Sequence, residues 1–286
     1  MNEYQAREHT PGTLISIIAG FISLNIWSRF FSGPIQLTLS AIVSYCYNWR
    51  ISRFLIPVYC LWQYGDRHHY KKYKPGSNGE KFKTFQDYFT RNLLNQPDLA
   101  SDYVWPAEGY LCEACEVEDT PLVKVKGEVR HISTIFGRDK AQIEGEYYFT
   151  NIFLHNNNYH HIHAPVSGTV SRIEHIPGKL LLLRPWAYKH WPSLPALTNE
   201  RVNVDICDSA GRTWMLSIVG GPLVASIKLA QGMISSSHVA VGEKIASFEL
   251  GSTCCMISPI KPTHQVGNMV DMGANLNNNA DNNQLR

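Results

Sequence analysis

From Val104 onward the chain is a succession of short β-type runs separated by turn residues, and this pattern limits the fold more than any other feature. "PLVKVKG", "EYYFTNIFL", "SGTVSRIEHIPGKLLLL", "RVNVDICDSAGRTWMLSIVG" and "LVASIKL" are rich in β-branched and aromatic residues and bounded by Gly, Pro, Asn and Ser. Such runs read as strands joined by turns. A length of 286 residues allows one large domain with an accessory segment.

Ahead of the strands the character differs. Leu14–Trp27, Ile35–Tyr47 and Phe54–Trp62 are apolar, with Arg29, Arg50 and Arg53 between them. The first run contains Ser16, Gly20, Ser23 and Asn25 and is shorter than the roughly 20 apolar residues a bilayer core requires. Glu3 and Glu8 offset Arg7, and no small-x-small cleavage site follows, which argues against a signal peptide. Trp27, Trp49, Trp62 and the basic stretch "RHHYKKYK" predict helices lying in a membrane interface against anionic headgroups. The competing reading is a helical subdomain packed on the core, with a solvated basic loop.

"KPGSNGEK" (74–81) reads as a linker. "KTFQDYFTRNLL" (83–94) reads as a helix with Thr84 as N-cap, and the Asn-rich end "NLNNNADNNQLR" as disordered. The expected fold is α+β: an apolar helical membrane-association region over 1–80, a β-rich domain over 81–265, and a mostly disordered tail over 266–286.

Charge and cysteine content exclude some functions. Lys plus Arg number 26 against 24 Asp plus Glu, so a net charge of +2 gives no footing for nucleic acid. Seven cysteines without a framework spacing fit a reducing compartment. Cys112-x-x-Cys115 lacks a second ligand pair, so it reads as strand or turn, and no metal is expected.

The chemistry-bearing stretches are ambiguous one by one. "NNYHHIHAPVSGTV" gathers His160, His161 and His163, and on a strand the last two share a face while His160 takes the other. "WPAEGYL" places Glu108 before Gly109 at a turn into a strand, and "LTNERVNV" places Asn199, Glu200 and Arg201 at a strand entrance. "SFELGSTCCMIS" sets Gly251-Ser252-Thr253 between two apolar runs, where by itself it reads as a surface turn. "HAPVSGTVSRIEHIPGKLL" also looks like the turn-and-strand pattern of biotinyl and lipoyl carriers, although Lys179 lacks the flanking Met of a biotinyl site.

Taken in order, the motifs are Phe89-Thr90-Arg91, Pro106-Ala107-Glu108-Gly109, Tyr159-His160-His161-Ile162-His163-Ala164-Pro165 and His175-Ile176-Pro177-Gly178-Lys179. Asn199-Glu200-Arg201-Val202, Val219-Gly220 with Ser226-Ile227, and Leu250-Gly251-Ser252-Thr253 complete the series. This series resembles the phosphatidylserine decarboxylases, membrane-associated enzymes that make their own pyruvoyl cofactor. The resemblance runs over about 83–260, and the apolar N-terminal part agrees in character only.

The resemblance implies that the hydroxyl of Ser252 attacks the carbonyl of Gly251 and that the chain is cut between 251 and 252. The C-terminal α chain then begins with a pyruvoyl group made from Ser252. It makes His163 the base acting on Ser252, Glu108 the acid that orients this base, and His160 the proton donor in turnover. The activity implied is conversion of phosphatidylserine to phosphatidylethanolamine and CO2 through a Schiff base with the pyruvoyl group.

Partners implied are phosphatidylserine, an anionic membrane surface and a noncovalent pair of α and β chains. A homodimer is compatible with the family, and the expected location is peripheral, on the cytoplasmic face of a bacterial inner membrane. The chain departs from the family at Glu108, where Asp is usual. Either the backbone adjusts and Glu performs the same role, or self-cleavage is slow or absent and the chain is a non-processing lipid-binding homologue. A decarboxylase of a free amino acid on the same scaffold is the other alternative.

Overall fold

The computed structural model describes residues 18, 22 and 34–277, except 78, 96, 98, 100, 121, 126, 127, 144, 189, 190, 222–226 and 249–251. Helices α1 (Pro34–Asn48), α2 (Leu55–Tyr64) and α3 (Phe85–Phe89) precede the main sheet. Short strands β1 (Tyr73–Lys74) and β2 (Asn92–Leu93) pair beside them. The following strands are β3 (Gly109–Glu116), β4 (Val123–Val125), β5 (Glu128–Arg130), β6 (Tyr148–Leu154), β7 (His161–His163) and β8 (Gly168–Ile176). After them come β9 (Arg201–Asp208), β10 (Thr213–Gly220), β11 (Ile227–Leu229), β12 (His238–Val239), β13 (Lys244–Phe248), β14 (Ser252–Ser258) and β15 (Met269–Val270). The molecule is thus mixed α+β with a β-rich core.

Eight strands form one antiparallel sheet in the order β12-β8-β9-β10-β14-β6-β3-β15. Alternation along each strand gives this sheet two buried faces. Val202, Val204 and Ile206 of β9, Trp214, Leu216 and Ile218 of β10, and Cys254 and Met256 of β14 belong to one core. That core is closed by the three-stranded sheet β11-β13-β7, which contributes Ile162, Ile245, Ala246 and Phe248.

Met215, Val219, Cys255 and Ile257 point the other way, toward 3-10 turns at Ile132–Phe136 and Leu194–Leu197. Buried polar side chains on this second face are matched to turn carbonyls: Arg201 Nε donates to Ile135 O at 2.6 Å, and Asn203 Nδ2 to the same oxygen at 3.1 Å. Satisfying buried donors in this way avoids a penalty of about 1–3 kcal/mol each.

Three expectations change. The stretch 74–81 is not a free linker: Gly76 N–H donates to Asp87 O, and Ser77 N–H to Asp87 Oδ1 at 2.7 Å, which wraps it around α3. Thr84 does cap α3, accepting from Asp87 N–H at 3.0 Å, but the helix stops at Phe89 because Asn92 and Leu93 pair with Lys74 and Tyr73. Ile56 and Cys60 then pack with Phe85, Tyr88 and Phe89 in one cluster, so no structural break falls at 80/81.

The domain also continues past 265. Met269 and Val270 pair with Tyr110 and Gly109, and Leu276 is fully buried in the main core. Apolar burial of these side chains offsets the entropy of ordering a polar segment. Among the described residues, no helix is long and apolar enough to cross a membrane.

Candidate active site

The residues singled out in the sequence collect at one end of the large sheet. Ser252 opens β14, flanked by Gly220 at the end of β10 and Leu154 at the end of β6. β3 begins at Gly109, where a Cβ would lie 2.5 Å from Phe153 O. Only glycine therefore lets the Glu108 turn approach β6 so closely. Asn199 Nδ2 donates to Gly220 O at 2.8 Å, so the Asn-Glu-Arg motif fixes the strand end beside Ser252.

Gly251-Ser252-Thr253 is not an exposed turn. Ser252 is fully buried, and among the described residues its Oγ has no hydrogen-bond partner. Strand alternation puts it on the face of Cys254 and Met256, toward the small sheet that carries the histidines. Thr253 faces away, donating to Ile152 O at 3.0 Å and Asn151 Oδ1 at 3.1 Å. Gly251, the expected cleavage site, lies outside the described residues, as do 249 and 250. Phe248 N–H donates to His160 O at 3.0 Å, and from Phe248 to Ser252 four residue steps span at most about 14 Å.

His163 stands at the end of β7, and its N–H donates to Pro106 O at 2.8 Å, which ties it to the turn bearing Glu108. Its Nδ1 lies 2.7 Å from Gly242 O, an acceptor only, so Nδ1 carries the proton. Nε2 is then a lone pair, accepting from Tyr159 Oη–H at 3.2 Å. Burial lowers the His163 pKa to about 4, so the ring is neutral and able to act as a base. Gly242 sits at φ +73°, a conformation that favours glycine and aims its carbonyl at the ring.

His160 is fully buried against Phe89, their rings 4.1 Å apart. Its Nδ1–H donates to Asn158 O at 2.8 Å, leaving Nε2 buried and, among the described residues, without a partner. Burial, reinforced by the charge of Arg91, pushes its pKa well below the ordinary value, so this ring is also neutral. His161 is backbone-bonded, its Nε2–H shared between Thr90 O and Arg91 O, each at 3.1 Å.

Glu108 is brought to the site but not onto His163. Its Oε1 accepts from Asn158 Nδ2 at 2.8 Å, and its carboxylate also accepts from Tyr159 N–H. Burial raises its pKa, opposed by these bonds and by Arg91. The group that orients the His163 ring is instead the Gly242 carbonyl.

Arg91 is fully buried, with its guanidinium 4.6 Å from the Tyr73 ring centroid and 5.0 Å from that of Tyr88. Its Nη2 donates to Asn157 O at 2.5 Å and Asn158 O at 2.9 Å. Arg91, Asn158 and Glu108 thus form a relay that fixes the loop leading into His160. In the sequence Arg91 and Tyr159 stand in the motif series without a role, and Asn158 and Gly242 do not stand out. The polar run "NNYHH" is a local signal for Asn158, whereas nothing local ties Gly242 to a histidine 79 positions away.

A buried serine hydroxyl at the start of a central strand and neutral buried histidines on the adjoining small sheet are the chemistry-bearing groups of this β-rich domain. A family model described as phosphatidylserine decarboxylase matches residues 85–277, and the chain belongs to that family of carboxy-lyases. The chain is similar to the phosphatidylserine decarboxylase proenzyme of Shewanella amazonensis, 36% identical over 159 residues, 53% of this chain and 54% of that relative. It therefore spans about half the length of that relative. The proenzyme of Polaromonas sp. is 29% identical over 207 residues, 64% of this chain and 72% of the relative. That of Nitrosospira multiformis is 28% identical over 228 residues, 70% of this chain and 78% of the relative.

Proposed function

We propose that the chain cleaves itself at Gly251–Ser252 and decarboxylates phosphatidylserine to phosphatidylethanolamine with a pyruvoyl group made from Ser252. The observation that carries the reading is the Ser252 hydroxyl, fully buried and, among the described residues, without a partner on the face toward the histidine strand. An unpartnered buried hydroxyl costs about 1–3 kcal/mol, and a reactive role explains its retention.

In self-cleavage, Ser252 Oγ gives its proton to His163 Nε2 and bonds to the Gly251 carbonyl carbon, and the C–N bond of that peptide breaks as the imidazolium returns the proton to the departing nitrogen. The amide becomes an ester, and removal of the α-proton of residue 252 by a base eliminates the Gly251 carboxylate across Cα–Cβ. Hydrolysis of the resulting dehydroalanine expels ammonia and leaves the ketone. The His163 tautomer supports its role as base, because Nδ1–H is committed to Gly242 O and Nε2 is the free lone pair once Tyr159 releases it. Glu108 contributes by holding Asn158 and the Tyr159 N–H rather than by bonding His163.

The buried serine and neutral imidazoles fit the cofactor, which when formed supplies a carbonyl that accepts the electrons left by departing CO2. His160 Nε2, whose Nδ1–H is committed to Asn158 O, is the group given the role of returning a proton to the substrate carbon. Cleavage would leave β14 hydrogen-bonded between β10 and β6, so the two chains remain associated.

Peripheral attachment to an anionic membrane is supported by the apolar outer side of α2, where Val58, Leu61 and Trp62 are exposed. A decarboxylase of a soluble amino acid has no use for such a surface. Intact mass of the purified chain beside Ser252→Ala tests the reading. Two fragments for the natural chain, the smaller of 35 residues without a free amine, and one for the variant are expected. An uncut natural chain would overturn it.

A further inference from the structure

His163 also lines a cavity of about 210 Å³, together with Asn92, Leu93, Tyr159, Gly242 and Lys244. Lys244 is directly opposite His163 in the β13–β7 ladder, and the register shifts between Lys244 and Ala246. Cross-strand partners project to the same side, and a bulge is a common device for aiming a side chain at a site. The Lys244 side chain is partly buried, and among the described residues its ammonium has neither a hydrogen bond nor an ion pair. A desolvated cation without a counter-ion is costly unless a ligand supplies one.

Building on the reading above, we propose that this cavity seats the phosphodiester of the lipid headgroup, with Lys244 as its counter-ion. The volume suits a headgroup rather than a whole lipid, since pockets for larger ligands run to about 300–1,000 Å³. The headgroup has two anionic groups, and the chemistry selects between them. The carboxylate loses its charge as CO2 leaves, so a cation bound to it would stabilise the ground state more than the transition state. The phosphodiester keeps its charge throughout, and a cation there adds affinity without raising the barrier. Its place beside His163 sets the serine end of the headgroup toward the histidine strand.

The test uses the full chain carrying Ser252→Ala, which requires no activity, with sn-glycero-3-phosphoethanolamine and inorganic phosphate as calorimetric probes. The diester is expected to bind. Lys244→Met should weaken it at least about tenfold, as loss of a charge-assisted hydrogen bond implies, and Lys244→Arg should retain most of the affinity. Equal binding by Lys244→Met, no binding of the diester, or inorganic phosphate binding as tightly as the diester would each overturn the proposal.

Where the natural chain turns over phosphatidylserine, Lys244→Met should raise KM about tenfold while kcat falls less than threefold. A fall in kcat at constant KM would assign Lys244 elsewhere. A chain that binds the diester through Lys244 yet leaves phosphatidylserine intact would refute the decarboxylase reading and leave the anion site standing.

Discussion

Glu108 and His163 are held by different partners. Its carboxylate reaches Asn158 Nδ2 at 2.8 Å and the Tyr159 N–H, while the Gly242 carbonyl takes the Nδ1–H of His163. The acid therefore controls the loop that carries the histidines, and the backbone of a different loop controls the ring. Glu108→Gln keeps an acceptor for Asn158, whereas Glu108→Ala leaves a buried amide unpaired at about 1–3 kcal/mol. In a time course of precursor cleavage, the Gln variant should process within about tenfold of the natural chain, and the Ala variant should be slower by at least a further tenfold. Comparable rates for the two would mean that the Glu108–Asn158 contact does not govern processing. That contact was not legible in the sequence, because Glu108 and Asn158 lie 50 positions apart and meet through the β3–β6 ladder.

At the scale of elements, α2 is split between two environments. Ile56 and Cys60 are buried against Phe85, Tyr88 and Phe89, and Tyr64 Oη–H donates to Asn157 O at 2.6 Å. The outward side presents Val58 at 64% and Trp62 at 80% exposure. One side docks on the loop before the histidines, and the other remains available to a bilayer interface. Replacing Val58 and Trp62 together with Ser should lower flotation with phosphatidylserine-containing vesicles at least about tenfold, given about 1.5–3 kcal/mol for each large apolar side chain buried. Precursor cleavage should be unchanged. Undiminished flotation would place the membrane contact on another surface. The packed helical subdomain read from the sequence is what the structure shows on one side of α2, and the exposed apolar side leaves the interfacial reading as a proposal.

Over the whole molecule, buried histidines couple stability to pH. Burial holds His163 at about 4 and His161 at about 3, against an ordinary 6.5, and also holds His160 well below that value. Below 6.5 the unfolded chain binds more protons at these positions, so their stability contribution is full above 6.5 and is lost as pH falls toward 4. Glu108 and Asp205, raised by burial, act with the opposite sign. In Ser252→Ala chains unfolded by denaturant, adding His163→Gln should flatten the slope of stability against pH between 4.5 and 6.5, by up to about 1.4 kcal/mol per pH unit. An unaltered slope would mean that His163 does not carry the coupling.

The strand periodicity, the Thr84 cap and the ordered series of short motifs were determined by the sequence alone, because each depends on residues close together along the chain. Placement of Ser252 in a central strand, pairing of Lys244 with His163 and the reach of Arg91 to Asn157 and Asn158 were decided only by the tertiary structure. Long-range antiparallel pairing brings distant segments together, and the burial that neutralises the histidines and desolvates Lys244 arises only when those segments pack.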